Sequence, residues 1–292
     1  MTPNRSAGRI DPRRLGELLG RPVTAVHDLG ARHSWTLHRV TLADGVVVFV
    51  KAGDGQAGVL DAEAAGLQWL SEGAPARLVP EVSAVDGGVL VLPWISAEEP
   101  TKAAAERFGR DLAGLHAQSA PYYGAAWPGY IADLPLDNTP SDTSWARWYA
   151  ERRLAPFLRR GADRLAAEEV RSVERVIDEI DRFAGPSEPA CRIHGDLWSG
   201  NVMWADGHGV LIDPAAHGGH RETDLAMLAL FGMPHLERIL AAYQETAPLA
   251  DGWRDRVPLH QLHPLLVHLA LFGSGYRRQV VDATAAVLAS GN

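Results

Sequence analysis

Asp196 and Asn201 stand five residues apart in His194-Gly-Asp-Leu-Trp-Ser-Gly-Asn201, and Asp213 closes the apolar run Val210-Leu-Ile twelve residues further on. The pattern H-x-D-x-x-x-x-N followed by a strand-end Asp is the layout of a phosphoryl-transfer loop. That chemistry needs a group to take the proton of an attacking hydroxyl, here Asp196. It also needs oxygen ligands for a metal ion on nucleotide phosphates, here Asn201 and Asp213. The loop has to bend sharply between its two acidic ends, and Gly195 and Gly200 permit that. The spacing alone is common. It gains weight only if a lysine and a glutamate upstream fall in the right order.

They do. Leu15 to Leu19 suits a short helix, with Asp11 as its N-cap and Pro12 at the first helical position, and Gly20-Arg-Pro22 ends it. Val23–Leu29 and Trp35–Leu42 suit strands joined by Gly30 to Ser34, and the turn Ala43-Asp-Gly45 leads into a third strand, Val46–Lys51. Lys51 either ends that strand as a surface lysine or pairs nucleotide phosphates. Glu63, twelve residues later in a helix over Asp61–Leu70, is placed to hold it. A second hairpin, Val82–Val85 and Val89–Leu92, runs into Pro93-Trp94-Ile95. There a hinge would meet a purine through backbone groups, although Pro93 offers no donor. The simpler reading of Trp94 is a half-buried packing aromatic. The polar segment Ser96 to Pro100 divides the chain into a nucleotide-binding lobe, 1–95, and a catalytic and substrate-binding lobe, 96–292.

Beyond that boundary the pattern is helical. Lys102–Ala117 is amphipathic, with Phe108, Leu112 and Leu115 on one side. Pro121 to Thr143 is a long loop in which Trp127, Tyr130 and Asp133 are either a substrate wall or plain structure. Trp145–Arg160 suits a basic, solvated helix with Trp148 and Leu154 buried, and Ala166–Phe183 a further helix. After the Asp213 loop, Asp224 is placed to brace the site, and Leu259–Phe272 and Asp282–Leu288 close the chain as helices. The fold class that follows is α+β and bilobal, with a small β-rich N-lobe and a larger, mainly helical C-lobe.

Composition narrows the partners. A formal net charge of -8 argues against a general nucleic-acid binder. One cysteine, Cys191, excludes an internal disulfide and fits a reducing, cytoplasmic setting. No apolar run reaches membrane-spanning length, and Met1 to Ile10 lacks the apolar core of a signal peptide. Twelve histidines raise the question of zinc, but there is no H-E-x-x-H and no cysteine partner. A serine hydrolase would need a G-x-S-x-G elbow, which is absent.

On the residues quoted, the chain resembles the fructosamine/ketosamine-3-kinase family within the aminoglycoside-phosphotransferase-like kinases. The likeness rests on His194-Gly-Asp-Leu-Trp-Ser-Gly-Asn201, on Asp213-Pro-Ala with Gly219-His-Arg-Glu222 and Asp224-Leu-Ala-Met227, on Phe49-Val-Lys51 with Ala62-Glu-Ala-Ala-Gly-Leu67, and on Leu266 to Gly273. It implies a protein-kinase-like fold and transfer from ATP, with Mg2+, to a sugar hydroxyl of a small-molecule or protein-bound ketosamine. It carries over Asp196 as base, Asn201 and Asp213 as metal ligands, and Lys51 with Glu63 as the phosphate-orienting pair. Trp94 and Ile95 fall at the nucleotide hinge, and Trp198 beside the substrate sugar. The loop Gly30 to Ser34 is poorer in glycine than the family's. Other acceptors (aminoglycoside, choline or homoserine) and a non-catalytic nucleotide-binding regulator share the same polar residues, so the sequence leaves them open.

Overall fold

The computed structural model describes residues 10–32, 34–53 and 58–291. Asp11 caps helix α1 (Pro12–Leu19) through the Arg13 amide, and Gly20 ends it in the left-handed region. Five antiparallel strands follow in the order β1-β2-β3-β5-β4: β1 Val23–Arg32, β2 Trp35–Leu42, β3 Val47–Ala52, β4 Ala84–Asp86 and β5 Val89–Pro93. Helix α2 (Val59–Ser71) packs beneath the sheet through Leu60, Ala64 and Leu67.

The first hairpin differs from expectation. β1 does not stop at Leu29 but continues to Arg32, so Gly30 to Arg32 pair with β2 rather than forming a loop. The cause is a bulge between Asp28 and Gly30. Gly30 adopts φ +98, which a side chain would resist, and its amide bonds the Asp28 carboxylate at 2.7 Å. The remaining turn includes His33, which lies outside the described residues.

No regular element covers Ser96 to Pro100, and α3 (Lys102–His116) starts at the Thr101 cap. One hydrophobic cluster runs through this point: Trp35, Leu67 and Leu90 share it with Leu112, Leu225 and Tyr243. The two halves are therefore packed on a common core. The long loop contains a small hairpin, β6 (Gly129–Ile131) with β7 (Leu134–Leu136).

The expected helix Trp145–Arg160 is interrupted. α4 (Trp145–Tyr149) and α5 (Ala155–Gly161) flank a π turn over Ala150–Leu154. Pro156 cannot donate to the Arg152 carbonyl four residues back, so the ladder slips. The Arg153 guanidinium donates to that carbonyl instead, at 3.2 Å. This corrects a second expectation. Arg153 is not on a solvated face but is buried, bonded to Asn138 Oδ1 at 2.7 Å and to the Asp137 carbonyl at 2.8 Å, with its guanidinium over Trp148.

The next helix, α6, is shorter than expected (Ala167–Asp178) and passes into a 3-10 turn at Ile180. Short pairs follow: β8 (Cys191–Ile193) with β11 (His217–Gly219), and β9 (Val202–Ala205) with β10 (His208–Leu211). Helices α7 (Arg221–Leu230), α8 (Leu236–Thr246), α9 (Trp253–Phe272) and α10 (Arg277–Ser290) complete the chain. α9 begins six residues before the expected start and contains Pro258 and Pro264. Pro264 leaves the His260 carbonyl without its helical donor, and the Tyr149 hydroxyl fills the gap at 3.0 Å. Among the described residues no helix is long and apolar enough to cross a membrane.

α3 and α8 approach closely because position 109 is glycine. A Cβ there would run into the Ile239 carbonyl, which is backbone and cannot swing away. Gly109→Ala is expected to lower unfolding free energy by about 1–3 kcal/mol, the usual cost of overpacking. Urea titration checks this, and an unchanged midpoint would show that α3 and α8 are free to separate.

Candidate active site

β3 delivers Lys51 and α2 delivers Glu63 to the same point under the sheet. Lys51 is buried, and its Nζ lies 2.7 Å from Glu63 Oε2 and 2.8 Å from Asp213 Oδ1. Burial disfavours the ammonium, but the two carboxylates outweigh it and raise the Lys51 pKa. Lys51 therefore stays charged. Asp213 follows β10 and sits at φ 53, a left-handed conformation that is uncommon away from glycine. Its side chain is 47% exposed, so the carboxylate reaches solvent as well as Lys51. Burial opposes charge on Asp213, and the Lys51 ammonium more than offsets it, holding the carboxyl below its ordinary value.

The loop from Gly195 to Asn201 stands beside this trio. Asn201 ends a 3-10 turn, Ser199–Asn201, and donates from Nδ2 to the Asp196 carbonyl at 2.8 Å and to Asp196 Oδ2 at 3.1 Å. With Nδ2 turned to Asp196, Oδ1 is the Asn201 atom left to meet a cation. Asn201 Oδ1 and the Asp213 carboxylate are hard oxygen donors, a set that suits Mg2+. Burial is the main reason the half-buried Asp196 carboxyl is pushed up to about 7, with Asp213 and Asp224 adding to it against the Asn201 bond.

Asp224, fully buried at the start of α7, holds the loop from behind. It accepts the His194 amide at 2.7 Å, the Gly195 amide at 2.9 Å and His116 Nε2 at 3.1 Å. His194 bridges to the other strand: Nε2–H donates to the Ile212 carbonyl at 2.9 Å while Nδ1 accepts the Asp196 amide at 3.2 Å. These partners fix the neutral Nε2–H tautomer. Sequence reasoning places Asp224 as a brace but misses His116, and with it Tyr243, whose hydroxyl meets His116 Nδ1 at 2.9 Å.

Five of the residues selected from sequence thus lie within one continuous set of polar contacts: Lys51, Glu63, Asp196, Asn201 and Asp213. Trp198 is adjacent. Its indole lies against Gly200, where any Cβ would strike the ring, and its edge meets Phe231 with ring centres 6.1 Å apart. Trp94 and Ile95 extend from the end of β5. The Trp94 amide is already bonded to the Val47 carbonyl at 3.3 Å, and Arg39 sits over its ring. The Trp94 N–H is thus already used within the sheet. Trp127 packs on Trp69 at 5.5 Å, Tyr130 joins the main core, and Asp133 accepts the Ser34 hydroxyl at 3.1 Å.

The histidines form a separate interior network. His220, Glu222 and His260 bring their ligand atoms within 4.8 Å of one another. Both Glu222 oxygens are held by Arg256, at 2.9 and 2.6 Å, so the carboxylate is neutralised by a guanidinium.

A buried ion pair of this type over a helical lobe, with an Asp–Asn loop at the junction, defines an ATP-dependent phosphotransferase of protein-kinase-like fold. The sequence profile of fructosamine kinase matches residues 26–290, and the chain belongs to that family. A protein from Enterococcus faecium provisionally named a ketoamine kinase is 36% identical over 233 residues, covering 76% of this chain and 80% of the relative. A crystal structure from Thermobifida fusca, provisionally called a fructosamine-3-kinase, is 54% identical with a TM-score of 0.92 over 95% of this chain and 98% of that one. The macrolide 2'-phosphotransferase of Brachybacterium faecium, at 16% identity, shares the fold alone, with a TM-score of 0.63 over 94% of this chain and 95% of that one.

The buried charges make stability depend on pH and on Asp224. Burial holds His217 and His220 down to about 3, against an ordinary 6.5. The unfolded chain therefore takes up protons first. The stability tied to these rings is complete above pH 6.5 and is lost as pH falls toward 3. Asp196 acts in the opposite sense over this range, so the test uses Asp196→Asn: there unfolding free energy measured in urea should drop between pH 7.5 and 5, and a flat profile would mean these rings are not buried neutral. Asp224→Ala strands two buried amides and His116, and should cost about 3–5 kcal/mol, the range for breaking a buried pair. A variant melting within a degree or two of the parent would show that the loop does not depend on Asp224.

Proposed function

We propose that this chain transfers the γ-phosphoryl group of ATP to a sugar hydroxyl of a ketosamine, with the five convergent polar side chains as its machinery. The observation that carries the reading is Lys51 bridging Glu63 and Asp213 beside the Asp196–Asn201 pair. Glu63 holds the Lys51 ammonium where it would orient the nucleotide phosphates. Asp196 accepts the proton of the attacking hydroxyl as its oxygen bonds to the γ-phosphorus and the bond to the β–γ bridging oxygen breaks, with ADP as the leaving group. Asn201 and the open oxygen of Asp213 would hold Mg2+. When bound, that ion neutralises charge on the phosphate oxygens. Asn201 Nδ2 keeps Asp196 turned toward the acceptor, and Trp198 flanks the sugar. The chemistry is positioning and charge neutralisation. The lobe boundary near residue 95 belongs to the same reading, with the nucleotide entering between the sheet and α3.

The acceptor class rests on family membership. A regulator that only binds nucleotide has no use for a proton acceptor in contact with the metal-ligand pair, so the catalytic reading is preferred. The decisive experiment is ATP consumption over fructosyl- and ribulosyl-lysine, aminoglycosides and choline. Transfer to the two ketosamines alone is the expected result, and transfer to an aminoglycoside or choline but to neither ketosamine would reject the reading.

Asp196→Asn should lower kcat by about 10²–10⁴, the usual worth of a general base. The sign of its stability effect is opposite. A carboxyl raised to about 7 costs stability when ionised, so at pH 8 the variant should melt no lower than the parent. Lost activity together with a lower melting temperature would assign Asp196 a structural role instead.

A further inference from the structure

The brace behind the phosphoryl-transfer loop does not end at Asp224. Asp224 Oδ2 takes the His194 amide at 2.7 Å and His116 Nε2 at 3.1 Å, while Oδ1 takes the Gly195 amide at 2.9 Å. A carboxylate only accepts, so His116 carries a hydrogen on Nε2. Its other nitrogen, Nδ1, meets the Tyr243 hydroxyl at 2.9 Å. The Arg221 guanidinium stands beside the Tyr243 oxygen, which turns the hydroxyl hydrogen away from Arg221 and toward His116. Arg221 is itself fixed, bonded to both Glu188 oxygens at 2.7 Å and to the Pro248 carbonyl at 2.9 Å. One directed chain therefore runs from Arg221 through Tyr243, His116 and Asp224 to the two amides that precede Asp196.

The members of this chain do different things. Each Asp224 oxygen already has a backbone amide, so the loop stays attached to α7 without His116. Those two amides belong to adjacent residues and move with the loop. His116 is the last residue of α3, whose Phe108, Leu112 and Leu115 are wholly buried. Its bond ties the carboxylate to a helix that does not move with the loop. Tyr243, from α8, then fixes which ring nitrogen faces Asp224 as a donor.

Resting on the ketosamine kinase reading, we infer that His116 and Tyr243 are positioning residues for phosphoryl transfer. Acting through Asp224, they hold the backbone that carries Asp196, and they set the rate of the chemical step rather than the binding of ATP or acceptor. A cavity of about 340 Å3 gives access to them from outside, with His116, Tyr243, Cys191 and Arg221 in its wall beside the small side chains of Ala113 and Ala190. Shortening His116 extends that cavity toward Asp224, and free imidazole carries the donor and acceptor of the lost ring.

The test measures kcat and both KM values, for Mg-ATP and for whichever of fructosyl- or ribulosyl-lysine the parent uses faster. The variants are Tyr243→Phe and His116→Ala, the latter with and without imidazole, each assayed well below its melting temperature. His116→Ala should lower kcat about ten- to a hundredfold, the cost of an ångström-scale misplacement. Tyr243→Phe should lower it about three- to tenfold, the worth of one hydrogen bond. Both KM values should stay within about twofold of the parent, as for an interaction that acts on the chemical step. Imidazole should recover part of the lost kcat in His116→Ala and leave Tyr243→Phe unchanged. If His116→Ala does not fold, Tyr243→Phe decides alone. Parental kcat in folded Tyr243→Phe, a loss that lies in KM, or imidazole that protects His116→Ala from heat without raising its kcat would each overturn the inference and leave the kinase reading standing. Transfer to neither ketosamine by the parent chain would overturn the kinase reading and this inference with it.

Discussion

A lysine ammonium buried under a sheet is stable only if anions surround it, and Lys51 has two. Glu63 comes from the helix below and Asp213 from the far half of the chain, 162 residues away. Removing an ammonium from water costs several kcal/mol, so neither a retracted α2 nor a displaced Asp213 loop is compatible with the charged side chain. The packing agrees with the electrostatics. Gly66 on α2 faces the loop after Asp213, and a Cβ at that position would come within 3.1 Å of Ala216 and 3.6 Å of Pro214. Helix and loop touch because position 66 has no side chain, and the ion pair forms at that contact.

The same principle works on the other side of the loop. Asp224 is an anion fully removed from water, and it is tolerated because two amides and a histidine converge on it. The fixed carboxylate then fixes the backbone on which Asp196 is mounted. Around it, the interior repeatedly satisfies backbone groups with side chains. Arg153 supplies the donor that Pro156 withholds from Arg152, and Tyr149 does so for Pro264 and His260. Each proline would otherwise leave a buried carbonyl unpaired, at a cost of about 1–3 kcal/mol. These substitutions give the helical lobe a rigid frame, and the catalytic loop inherits its position from that frame.

The meeting of Lys51, Glu63, Asp196, Asn201 and Asp213 is legible in the sequence because each lies in a short local pattern: a strand end, a helix twelve residues on, and a loop whose glycines allow one bend. The strands are legible from their β-branched alternation, and the fold class follows. What stays hidden has a common cause. His116 is the last residue of an ordinary amphipathic helix, and its partners Asp224 and Tyr243 are 108 and 127 residues away. No local spacing encodes a contact of that range. Arg153 escapes a local reading because five arginines on one helix suggest solvent, whereas Pro156 has already broken the periodicity on which the suggestion depends. β1 looks too short in sequence because Gly30 resembles a turn glycine, and a bulge glycine looks the same in one dimension.

That bulge bears on how the two halves cooperate. A phosphate-covering loop usually gains its close approach from several glycines, and this turn has Gly30 alone. Its geometry is imposed from outside. The hairpin β6–β7 rises from the helical lobe, packs Trp127 on Trp69 of α2, sets Tyr130 near Gly58, and takes the Ser34 hydroxyl onto Asp133. One appendage therefore touches both the tip of the β1–β2 hairpin and the helix that carries Glu63. A single exposed hydrogen bond is weak, of the order of 1 kcal/mol. A bond anchored by two tryptophans costs less entropy to form, because the aromatic contact has already placed the hairpin. The long segment between Pro121 and Thr143 is thus a tie across the lobes. Its length is what lets it span from α3 to the opposite sheet, and its aromatic content is what holds it there.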